Sequence, residues 1–154
     1  MLLVQIWEKV LQYVSFLENK HVKKGILQKN TFRENEHLKL KRRIDLLFTR
    51  GKSKSYDCIR MVYLFGNEEL EAPVQVLFSV PKSLFRRAVD RNLLKRRMRE
   101  AYRLNKGIII DRLDAKNTNL MVAFLYISRS IVSYQNIETG MVRLLDGILN
   151  QKRN

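Results

Sequence analysis

VQVLFSVPKSLFRRAVDRNLLKRRMREAYRLNK, residues 74–106, followed by LMVAFLYI at 120–127, decides the fold of this 154-residue chain. Val74–Val80 is rich in β-branched and aromatic residues and stops at Pro81, so it reads as a strand. Lys82–Lys106 is the most unusual segment. It holds ten Lys and Arg against two acids, Asp90 and Glu100, a local charge of 10 − 2 = +8. Leu94, Met98 and Ala101 recur at i, i+4, i+7 and form an apolar helix stripe, with Val89 and Leu93 beside it to widen the buried side. Asn92, Arg96, Arg99 and Arg103 recur at i, i+4, i+7, i+11 on another side, flanked by Arg91 and Lys95. Leu120–Ile127 is a further strand. Strand, basic helix and strand make a βαβ unit if the outer strands are parallel.

Upstream, Cys58–Phe65 reads as a strand, and the short Gly66–Pro73 connection implies an antiparallel hairpin with Val74–Val80. A helix is expected over 36–50, capped by Asn35, with Glu36 in its first turn and Gly51 as the residue after its end. Leu40, Ile44, Leu47 and Phe48 give it one apolar stripe. Ser133 caps a last helix with Ile137, Met141, Leu144 and Ile148 on one side. The order after residue 30 is α-β-β-α-β-α, an α+β domain read as a two-layer sandwich of helices on a small sheet. Residues 1–30 read as an extension. Leu3, Trp7, Val10, Val14 and Leu17 mark an amphipathic helix, and 19–30 a basic linker.

Composition narrows the function. Thirty Lys and Arg stand against 15 Asp and Glu, net +15 with pI about 10.2, so a polyanion is the first partner to consider. A helix that merely solvates its charges usually alternates their sign. Here acids are scarce, and Asn beside Arg suits RNA: an amide that both donates and accepts, and a planar fork that grips phosphate. One cysteine and two histidines exclude a disulfide within the chain and leave little for a metal centre. Cys58 reads as a small buried apolar residue. His21 falls in the linker. His37 reads as a solvent-facing residue in the first turn of the 36–50 helix, adding charge toward RNA at low pH. Asp111 and Asp114 form too weak a grouping to suggest a protein nuclease. No apolar run is long enough to span a bilayer, and the N-terminus lacks the basic start and small-residue cleavage site of a signal peptide, so a cytoplasmic protein is expected.

Residues 88–100, Ala-Val-Asp-Arg-Asn-Leu-Leu-Lys-Arg-Arg-Met-Arg-Glu, resemble the signature of the bacterial ribonuclease P protein component, A-V-x-R-N-x-x-K-R-x-x-R-E, at every fixed position. The resemblance extends to Val76–Lys82 and to Leu38–Ser53, and spans roughly residues 31–150. It implies a protein that binds a large catalytic RNA and helps it remove the 5′ leader of precursor tRNA. The RNA would hold the active site and the Mg2+ ions; the protein would carry no catalytic or metal-binding residue. It implies a left-handed βαβ crossover, where the general expectation is right-handed in about 98% of cases. It assigns RNA contact to the motif face, with Arg91, Asn92, Lys95, Arg96 and Arg99, and to Lys82 ahead of it; Arg103 continues the same stripe, and Arg86 and Arg87 supply cations at the helix start. Pro81 and Ser83 depart from the commoner residues of that loop.

A separate cleft, between the first helix and the sheet, is implied for the single-stranded leader. Phe48 matches a cleft phenylalanine, Ile44 stands where the family often has another aromatic, and Tyr63 or Arg60 would contribute from the sheet. Ile44 and Phe48 read equally well as core packing. No obligate protein partner and no membrane are inferred. A non-enzymatic RNA-binding module of ribosomal-protein type is the alternative, and vesicle binding by 1–18 would speak for a peripheral membrane protein.

Overall fold

The structure, a computed structural model, describes residues 31–66, 69–114 and 116–150. They belong to the unit formed by residues 31–154. The helix expected over 1–18 lies outside the described residues.

A 3-10 turn at Glu34–Glu36 leads to α1 (Lys41–Arg50), β1 (Lys52–Tyr56), β2 (Ile59–Gly66) and β3 (Val74–Ser79). The basic helix α2 (Ala88–Asn105), α3 (Gly107–Asp114), β4 (Asn119–Tyr126) and α4 (Tyr134–Leu149) complete the domain. The strand order is β1-β2-β4-β3. β3 and β4 are parallel and adjacent, Val74 opposite Leu120 and Phe78 opposite Phe124, so α2 and α3 form the crossover of a βαβ unit.

The hairpin expected between the strands at 58–65 and 74–80 is not formed. β4 inserts between them and pairs antiparallel with β2, Val62 opposite Ala123. β4 is apolar on both faces, which suits the centre of the sheet. The hairpin partner of β2 is β1, Lys52–Tyr56, which the sequence reading missed. KSKSY shows no apolar alternation because it is an edge strand, and lysines on an edge discourage pairing with other chains. Asp57 takes a left-handed backbone, φ 50°, in the tight turn between the two strands, a conformation in which Asp is enriched.

The period of two sorts the sheet into its faces. Ile59, Met61, Tyr63, Val74, Val76, Phe78, Val122, Phe124 and Tyr126 point to one face. They pack there with Leu94, Met98 and Tyr102 of α2, Ile109 and Leu113 of α3, and Ile137, Met141 and Leu145 of α4. Val62, Met121 and Ala123 point to the other face, against Leu47 of α1. α1 thus adds a third, partial layer: Leu77 and Leu125 beside it stay only half-buried.

The first helix begins at Lys41, five residues later than expected, and Leu40 precedes it without a side-chain cap. The cause is tertiary. Glu36 is drawn into an ion pair with Lys106, and His37 and Leu38 run along the outer edge of β3, where Leu38 N–H donates to the Val76 carbonyl at 2.9 Å. Asn35 instead donates its amide to the Glu71 carbonyl. Gly51 is not left-handed, with φ −68° and ψ 150°. Glycine is needed there for space, since a Cβ would come within 2.9 Å of Val62 Cγ1 and 3.2 Å of the Tyr63 carbonyl oxygen. Asp111 and Asp114 lie in the helix α3, three residues apart. Ser133 does cap α4, accepting from Asn136 N–H at 3.3 Å.

Among the described residues, no helix is long and apolar enough to cross a membrane.

Candidate nucleic-acid interface

The cations of α2 fall into two sets. One set is spent inside the protein. Arg91 Nη1 donates to the carbonyls of Phe85 and Arg86 at 2.8 and 2.7 Å, holding the loop that enters the helix. Arg97 Nη1 donates to the Val132 carbonyl at 2.6 Å and ties α2 to the segment before α4. Arg103 Nε donates to Glu100 Oε2 at 2.9 Å, and this bond holds the Glu100 carboxyl below its usual range. Lys106 Nζ lies 2.8 Å from Glu36 Oε2, with side chains only 12% and 11% exposed. The second set faces solvent. Asn92, Arg96 and Arg99 are exposed and Lys95 is half-buried beside them. Lys82 and Arg86 are exposed ahead of the helix, and so is Arg87, which approaches Asp90 at 3.9 Å. Among the described residues, no side-chain hydrogen bond or ion pair engages Lys82, Arg86, Asn92, Lys95, Arg96 or Arg99.

Two of the expected contacts, Arg91 and Arg103, are therefore turned to the protein's own carbonyls and carboxylate. Their neighbours are released by the same arrangement, because the few nearby acids are already occupied. Val89 and Leu93, expected beside the buried stripe, are instead exposed, Val89 at 67%. Their place in the core is taken by Tyr102, which the sequence reading passed over. Its ring meets Phe32, Phe78 and Phe124 with centroids 5.8, 5.9 and 6.0 Å away.

The cleft residues separate by face. Ile44 is half-buried and Phe48 is 46% exposed, both on the α1 side of the sheet. Arg60 is exposed at the outer end of β2 and approaches Ser55 Oγ at 3.4 Å. Tyr63 does not join them. It is 1% exposed in the core under the long helices, because it is one residue out of step with Val62 and Leu64. The half-buried Leu77 and Leu125 stand where the cleft floor would be, and the alternation about Val62 was the signal that pointed to that face.

Cys58 is buried, and burial pushes its thiol up. His37 is half-buried rather than solvent-facing, and burial followed by the charge of Arg99 holds its imidazole below 6.5. Among the described residues, no grouping of three or more His, Cys, Asp or Glu is placed to hold a metal ion.

Residues 32–143, which contain the whole of both surfaces, match the family described as Ribonuclease P. This chain belongs to the bacterial ribonuclease P protein family. The ribonuclease P protein component of Porphyromonas gingivalis is 38% identical over 112 residues, 73% of this chain and 82% of that one. That of Chlorobaculum tepidum is 35% identical over 132 residues, 80% of this chain and 86% of the relative. Solved structures share the fold. The ribonuclease P protein of Thermotoga maritima superposes with a TM-score of 0.58 at 22% identity, covering 73% of this chain and 96% of its own. That of Staphylococcus aureus gives 0.59 at 17%, covering 75% and 95%. Ribonuclease P is a ribonucleoprotein endoribonuclease with RNA as its catalytic part, and this family supplies its protein subunit.

Proposed function

We propose that this ribonuclease P protein grips the catalytic RNA with the outward face of α2 and guides the 5′ leader of precursor tRNA along the α1 side of the sheet. The observation that carries the reading is the division of the α2 cations. Arg91, Arg97, Arg103 and Lys106 engage the protein, while Asn92, Lys95, Arg96 and Arg99, with Lys82, Arg86 and Arg87, are left to solvent. A compact set of exposed cations beside an amide suits phosphate and ribose contact. Ile44, Phe48 and Arg60 flank an incompletely covered apolar surface, which suits unpaired bases and their backbone. No protein side chain is assigned to catalysis. Mg2+ is assigned to the RNA. A cytoplasmic site of action and assembly without an obligate protein partner complete the reading.

The test is cleavage of 5′-labelled precursor tRNA at low Mg2+ by a bacterial ribonuclease P RNA, with this protein, without it, and by the protein alone. Cleavage at the mature 5′ end only when both are present is the expected result. RNA binding without stimulation would favour a ribosomal-type module instead.

A further inference from the structure

The flank of α2 and the face of α1 are joined by residues 37–42, which pass around the outer edge of β3. His37 bridges to Val76 there, and α1 opens four residues later with exposed Lys41 and Arg42. The imidazole is held in a fixed place. Its ring packs edge-on against Phe32, centroids 4.2 Å apart at 62°, and Phe32 in turn packs on Tyr102 of α2. Three elements set its electrostatic surroundings. From α2 comes Arg99, from the 3-10 turn comes Glu36, and Val76 of β3 brings no charge. Glu36 is largely neutralised, since both its carboxylate oxygens accept from Lys106 Nζ at 2.8 Å and Oε1 also accepts from Arg33 N–H. Arg99 has no such partner among the described residues, so no ion pair offsets its charge.

We propose that His37 belongs to the RNA interface and gains a proton when an RNA phosphate docks on Arg99. The inference rests on the reading that the α2 face binds the catalytic RNA. The phosphate would neutralise the cation that opposes imidazolium and offer an oxygen that imidazolium can donate to. In the free protein, burial and Arg99 keep the ring neutral near pH 7. Binding therefore takes up a proton, and assembly strengthens as pH falls through the histidine range.

The chain has two histidines, so their Cε1 protons are readily told apart by NMR, with His21 as the internal comparison. The titration of His37 in the full-length protein would be followed free and bound to a bacterial ribonuclease P RNA. Affinity for that RNA would be measured at mildly acid and mildly alkaline pH for wild type, His37→Gln and Arg99→Gln. The His37 midpoint should rise on binding by at least half a unit, so that wild-type affinity at acid pH exceeds that at alkaline pH by about threefold or more. His37→Gln should flatten this dependence. Arg99→Gln, an exposed change, should raise the His37 midpoint in the free protein and shrink the shift on binding, which keeps the test decisive even if His37→Gln fails to fold. An unmoved His37 midpoint, or the same pH dependence in wild type and His37→Gln, overturns the inference while leaving RNA binding intact. Absence of wild-type binding at every pH overturns the RNA-binding reading together with it.

Discussion

Arg99 within α2 and Lys106 at its C-terminal cap are cations seven residues apart, and they do different work. Lys106 is held in a nearly buried pair with Glu36, and Arg99 faces water. Removing one member of a buried pair leaves the other charge without compensation, at about 3 kcal/mol. Glu36→Gln should therefore lower the unfolding free energy by that much, measured by urea denaturation, and a loss below about 0.5 kcal/mol would show the pair to be dispensable. Arg99→Ala should leave stability nearly unchanged. It should instead flatten the slope of log K against log salt for the catalytic RNA by about one unit, and Arg96→Ala likewise. An unchanged slope in both variants would take this face out of the interface. His37 contributes to stability with a definite sign. Its folded imidazole sits below 6.5, so its contribution is present above that pH and is lost as pH falls through the depressed value. His37→Gln should remove that acid-side loss in thermal melts.

At the scale of elements, α1 and α2 lie on opposite faces of the sheet, so the two RNA contacts proposed for them are kept apart. Phe48, exposed on α1, should matter to unpaired bases, with a stacking contact worth about 1–3 kcal/mol. Phe48→Ala is expected to weaken binding of precursor tRNA by the holoenzyme and to spare mature tRNA, which has no leader. Equal losses for both RNAs would make Phe48 a packing residue only. α2 is seated by Tyr102, whose phenol is deeply buried, far less acidic than usual, and without a hydrogen-bond partner among the described residues. Tyr102→Ala should cost about 3–5 kcal/mol by leaving a cavity among Phe32, Phe78 and Phe124. Tyr102→Phe should be neutral or stabilising, because it deletes a hydroxyl that gains nothing from burial. Calorimetry of the two variants checks both statements.

The whole molecule carries +15, an excess that repels itself until a polyanion arrives. Five outward cations, Lys82, Arg86, Lys95, Arg96 and Arg99, predict a salt slope of about −4 to −5, or roughly 500-fold weaker binding between 50 and 200 mM salt. The free protein should respond in the opposite sense, its thermal midpoint rising with salt as self-repulsion is screened. Much of this was legible in the residues alone. The +8 segment, its two stripes and the signature at 88–100 marked the basic helix α2, the strands β2, β3 and β4 followed from their β-branched, aromatic and apolar composition, and α4 followed from its apolar stripe and the Ser133 cap. Those features are local: charge, residue composition and a 3.6-residue period are properties of a short stretch of chain. What only the tertiary structure decided is non-local. β4 lies between β2 and β3 because the strand that is apolar on both faces takes the centre of the sheet. The helix expected at 36 waits until 41 because Lys106, seventy residues on, claims Glu36. Tyr63 leaves the cleft for the core because the alternation that puts Val62 under α1 turns its neighbour away. Arg97 becomes structural because the Val132 carbonyl lies within reach once α2 is docked, whereas Arg91 and Arg103 are held locally, by the carbonyls of Phe85 and Arg86 and by Glu100 one helical turn away. Arg97 and Lys106 are withheld from a partner by segments distant in the chain, and no period within the helix encodes that.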